Sequence, residues 1–67
     1  MFAHVYQNWH IWESDTHILA SDENTKELTC HKSLDDCINW LYLNRSKDAA
    51  RSLTIANRLN KNVRSDE

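Results

Sequence analysis

The chain has 67 residues, two cysteines and a net charge of −2, and it contains neither Gly nor Pro. That length holds one domain, read as residues 1–61 with a polar tail at 62–67, whose core buries only about 60% of the surface the unfolded chain exposes. The lack of Gly excludes glycine-rich phosphate loops and nucleophile elbows; no apolar run reaches the length of a membrane span or signal core, so the chain reads as a reduced, cytoplasmic protein.

The first half reads as strand. Between Phe2 and Trp12 the residues alternate. Ala3, Val5, Trp9 and Ile11 form one apolar line, and Phe2, His4, Tyr6, His10 and Trp12 form a second line of aromatic and histidine side chains. A hairpin at Gln7-Asn8 is the alternative, but such two-residue turns favour Gly after Asn and Trp9 stands there, so the segment is read as one strand and Ser14-Asp15 as the better turn. Thr16–Ala20 is a second strand centred on Ile18 and Leu19. Asp22-Glu23-Asn24-Thr25 is a polar turn, and Glu27–His31 is a third strand with Leu28 and Cys30 on one face.

The second half reads as helix. Ser33 is an N-cap, and Asp35 and Asp36 place negative charge in the first turn. Leu34, Ile38, Leu41 and Tyr42 then recur at helical spacing. The polar run Asn44–Asp48 ends this helix, with Ser46 capping a second that carries Ala49, Leu53, Ala56, Leu59 and Val63. A single continuous helix from Ser33 to about Lys61 is the alternative, because neither Gly nor Pro forces a break. The expected fold is α+β: a three-stranded antiparallel sheet followed by one long or two shorter helices.

Charge is divided along the chain. Residues 1–36 carry seven carboxylates against Lys26 and Lys32, a net −5. Residues 37–67 carry Arg45, Lys47, Arg51, Arg58, Lys61 and Arg64 against three carboxylates, a net +3. The result is a mild dipole, unlike a strongly basic nucleic-acid binder.

No catalytic constellation emerges. Cys30 and Cys37 do not have zinc-ligand spacing, and no second close pair accompanies them. His4 and His10 lie about 20 Å apart on an unbroken strand, too far to share a metal. Cys37 lies near a helix start and His31 near it in sequence, but a Cys–His pair also needs a cleft and an oxyanion site. Asp35 and Asp36 point apart and read as helix N-terminal charges. The expectation is therefore no catalytic residue, no metal and no cofactor.

Three binding readings follow. A sheet covered by helix on one face leaves strand-one residues on the other, so Phe2, Tyr6 and Trp12, with the acidic Asp15, Asp22 and Glu23, are read as a surface for a protein partner. Leu53, Ala56, Leu59 and Val63 form a narrow apolar stripe suited to a helix–helix seam, which makes a homodimer the expected state. Lys47, Arg51, Arg58 and Lys61 form a basic line, the footprint of a small DNA- or RNA-binding regulator. The first reading leads: a non-catalytic inhibitor or adaptor that occludes a larger protein. By association, that profile is of the phage or mobile-element type that targets a host or defence macromolecule.

Overall fold

The computed structural model describes the backbone of residues 1–65 and the side chains of residues 1–60. It is an α+β fold with four antiparallel strands rather than three, followed by two helices: β1 (Ala3–Tyr6), β2 (Trp9–Glu13), β3 (Ile18–Asp22), β4 (Glu27–His31), α1 (Leu34–Asn44) and α2 (Lys47–Ser65). The strands form a meander in the order β1-β2-β3-β4.

The fourth strand arises because the segment read as one strand is a hairpin. Tyr6 pairs with Trp9, leaving Gln7-Asn8 as the loop. Gln7 takes the positive φ of 53° that the tight turn demands, in place of a glycine. Asn8 then ties this turn to the next one. Its side-chain amide donates to Asp22 Oδ1, and its carbonyl accepts from Glu23 N at 2.9 Å. Asp22 Oδ1 also accepts from the backbone of Asn24 at 2.8 Å, closing the β3–β4 loop as an Asx turn. Lys26 supplies the second positive φ, 64°, before β4 begins.

A two-residue loop changes which side chains share a face. His4 pairs with Ile11 and Tyr6 with Trp9, so the even positions of β1 lie on the same face as the odd positions of β2. Phe2, Trp9, Ile11, Ile18 and Ala20 are buried there against Cys37 and Leu41 of α1 and Ala49, Ala50 and Leu53 of α2. Tyr6 packs half-buried on the same cluster. The expectation that Phe2 and Tyr6 face a partner is thus corrected.

The helical half breaks in two. Ser33 caps α1, its Oγ accepting from Asp36 N at 3.2 Å. Arg45 leaves the helical region (φ −132°, ψ −73°), and the amides of Arg45 and Ser46 both donate to Leu41 O. Ser46 Oγ accepts from Ala49 N at 3.1 Å and starts α2. The turn is clamped to the sheet because the Arg45 guanidinium makes a two-pronged pair with Glu27 of β4, at 2.8 and 2.6 Å. The same guanidinium lies 4.8 Å from the centre of the Trp40 ring, and Trp40 meets Trp9 edge-on at 6.0 Å. α2 continues to Ser65, so helical backbone extends into the segment read as a polar tail.

Leu53 is fully buried in this core, and Ala56 packs against it, whereas Leu59 is 60% exposed. Truncating Leu53 to Ala is expected to cost about 2–5 kcal/mol through lost burial and a residual cavity. Truncating Leu59 should change stability by less than about 0.5 kcal/mol. Urea unfolding of both variants checks the pair. Equal, small losses would contradict this placement of the stripe.

Candidate functional site

Both helices pack on one face of the sheet, α1 over β3 and β4 and α2 beside β1. Among the described residues nothing covers the other face. The registers align its side chains in two rows across all four strands: Val5, His10, Ser21 and Leu28 in one, and Ala3, Trp12, Leu19 and Cys30 in the other. With strands about 4.8 Å apart, the rows run about 14 Å across the sheet. Val5 is 59% and Leu28 61% exposed, at the two edges, while Trp12 and Leu19 are half-buried between them. A solvated antiparallel face ordinarily alternates to polar outward residues. This one presents Val, Trp, two Leu and Cys, with only His10 and Ser21 polar.

The fold brings together only part of the set read as a partner surface: Trp12, Asp22 and Glu23 line one shallow pocket with Ser21 and Leu28, whereas Phe2 and Tyr6 turn to the core. Of these residues only Trp12 is an outward strand residue of the open face. Asp22 is 8% exposed and is occupied in holding its turn, so it is not a surface charge. Burial raises its pKa, but hydrogen bonds from Asn8, Asn24 and Thr25 together outweigh that and hold the carboxyl low. Glu23 lies at the same end of the sheet, 3.6 Å from His10 Nε2. Asp15 lies in the β2–β3 loop at the opposite end. Val5, Leu19, Leu28 and Cys30 were missed as a group. Only the pairing register brings them together with Trp12, and that register depends on the Gln7-Asn8 hairpin.

The remaining candidates separate by layer. Lys47, Arg51 and Arg58 are all exposed on the outer side of α2; Arg51 makes only a loose 3.8 Å pair with Asp48. Lys61 and Val63 lie outside the described side chains. Cys37 is fully buried, and that burial pushes its thiol up to about 11, so it is a poor nucleophile. Cys30 is free and exposed on the open face, not buried beside Cys37. Among the described residues no group of three or more His, Cys, Asp or Glu side chains is placed to hold a metal ion. No described helix is long and apolar enough to cross a membrane.

Two histidines of the core face carry a pH dependence. His4 Nε2 lies 2.8 Å from Ser52 Oγ of α2, and burial lowers its pKa. His31 Nε2 lies 2.8 Å from Thr29 Oγ1, with its ring 5.1 Å from that of Trp40. Burial lowers its pKa as well, partly opposed by Asp36. Both folded values lie below the ordinary 6.5, so on acidification the unfolded chain takes up protons first. The stability these residues contribute is complete above about pH 6.5 and is lost as pH falls below that value through the folded pKa. Asp22 and Glu27, both held low, add their losses only in the more acidic carboxylate range. Thermal melts between about pH 7.5 and 5 should therefore show a falling Tm. The fall should flatten in a His4→Gln/His31→Gln variant; an unchanged slope would contradict the assignment.

No protein-family model, curated protein or solved structure matches this chain.

Proposed function

We propose that this protein is a small non-catalytic binding module, an inhibitor or adaptor that seats its open sheet face on a larger protein. The observation that carries this reading is the uncovered apolar face spanning Val5, Trp12, Leu19 and Leu28. Keeping such side chains in water forgoes roughly 25 cal/mol for each Å² of apolar surface left unburied. Contiguous exposed apolar patches of this kind mark interaction sites. Trp12 is the natural anchor, since Trp offers a large contact area with little rotamer entropy to lose. The sheet portion, residues 1–33, carries five carboxylates against Lys26 and Lys32, a net −3, which favours a partner whose rim is basic.

The second reading, a nucleic-acid-binding regulator, rests on Lys47, Arg51 and Arg58 sharing the outer side of α2. The readings are separable, because a phosphate-driven complex weakens steeply with salt and is removed by nuclease. A homodimer is a further proposal within the first reading. A second copy seated on the open face would appear as a dimer mass in light scattering.

The test is a nuclease-treated pull-down from host lysate, comparing the unaltered chain with Trp12→Ala and with Val5→Asp/Leu28→Asp. Circular dichroism and sedimentation of each variant serve as controls. The expected result is one protein captured by the unaltered chain and lost with both variants, while fold and mass stay the same. Capture that survives both changes, or that disappears with nuclease, would sink the open-face proposal.

A further inference from the structure

The helical layer carries a second surface, and its chemistry is opposite to that of the sheet. A groove of about 410 Å³ runs between α1 and α2 on the side turned away from the sheet. Its floor is apolar, built from Ile38, Tyr42, Ala50 and Ile55. Ile55 is 57% and Tyr42 45% exposed, so these side chains are only partly buried by the chain itself. Arg51 and Arg58 line the same groove. They are seven residues apart and so lie on one side of α2, about 10 Å from each other along the axis, with Ile55 between them. Lys47 adds a third cation, its Nζ 5.4 Å from the centre of the Tyr42 ring. Among the described lining residues there is no carboxylate. Asp48 reaches Arg51 only at 3.8 Å with both side chains largely in water, a contact that an incoming carboxylate displaces at little cost.

We infer that this groove is a docking site for an acidic amphipathic helix of a partner protein. The groove runs along α2 from Ala50 to Arg58, about 12 Å, with Ile38, Asn39 and Tyr42 of α1 on its other side. That matches about two turns of a helix laid in it. Apolar side chains of the partner at i, i+3 or i+4, and i+7 would meet Ile38, Tyr42 and Ile55, and carboxylates two turns apart would meet Arg51 and Arg58. The apolar floor discriminates between occupants. A nucleic-acid strand would find basic residues but only Tyr42 on which to stack a base, and Lys47 already sits over that ring. A second copy of this chain would bring its own Arg51 and Arg58 to the groove, setting like charges together. An acidic apolar helix meets both features at once. The inference does not rest on the open sheet face; a module with both surfaces would bridge two partners of opposite rim charge.

Fluorescence anisotropy tests it with three labelled probes. One is a stapled amphipathic peptide of about 16 residues with Leu on one face and Glu elsewhere. The second is its twin with Lys in place of Glu, and the third is a single-stranded DNA of similar length. The unaltered protein should bind the Glu peptide about tenfold or more tighter than the Lys twin. Arg51→Glu/Arg58→Glu should reverse that preference, and Ile55→Asp should abolish binding. Val5→Asp/Leu28→Asp should leave binding unchanged, which separates this groove from the open face. Circular dichroism establishes that each variant is folded. No binding of the Glu peptide at millimolar protein, equal affinity for the two peptides, or binding that persists in the charge-reversed variant would each overturn the inference. So would a preference for DNA, or a dimer that dissociates on Ile55→Asp.

Discussion

Asn8 joins the two turns at one end of the sheet, and much of the molecule depends on that join. The turn it belongs to has only two residues, and the chain has no Gly to place there. Gln7 therefore adopts a left-handed backbone conformation, at a cost of about 1–2 kcal/mol. The hydrogen bonds of Asn8 to Asp22 and to Glu23 N offset that cost and fix the position of β1 beside β2. The register then decides which aromatic residues enter the core and which remain outside. Phe2 and Tyr6 go inward with Trp9 and Ile11, whereas Val5 goes outward with His10 and Trp12. A strand running unbroken through this segment would reverse half of that assignment.

The helical layer is joined to the sheet by a second polar anchor. Glu27, Arg45 and Trp40 link the end of α1 to β4, and Trp40 passes the contact on to Trp9 in β2. This anchor lies where the chain turns from α1 into α2. It holds the two helices as an antiparallel pair over one face, with Leu41 and Leu53 fully buried. A chain of this size has little core to spend, and nearly all of it lies in the one layer between sheet and helices. The opposite sheet face and the outer helix groove are what remain, and both are unusually apolar for water-facing surfaces.

How far the sequence revealed this depends on the element. Glu27–His31 was readable because Leu28 and Cys30 alternate with polar neighbours between two turn-forming clusters. The helix start at Ser33 was readable from the cap and the two acidic residues behind it. The division into two helices was legible in the polar run Asn44–Asp48 and the cap at Ser46, with a continuous helix left as the alternative because the Arg45 pair that holds the turn to the sheet is made with Glu27, 18 residues earlier. The hairpin at Gln7-Asn8 is weakly signalled in the sequence because turn preferences reflect local conformational cost, while the compensation lies in Asp22, 14 residues away. The partner face inherited that misreading. Trp12 lies on the open face and Phe2 and Tyr6 on the core face, and Val5 and Leu28 join Trp12 only once all four strands are in register.

The central claim is that the two-residue hairpin turns Phe2 inward and leaves Val5, Trp12 and Leu28 on an uncovered face. Relaxation of side-chain protons by a soluble gadolinium chelate, read by carbon-resolved NMR of the protein as a monomer, tests it most directly. The account predicts strong relaxation of the Val5 and Leu28 methyl groups and of the Trp12 ring edge, with the Phe2 ring protected like Leu41 and Leu53. Strong relaxation of the Phe2 ring together with protected Val5 methyls would contradict it, because it would mean that the segment from Phe2 to Trp12 runs as one unbroken strand.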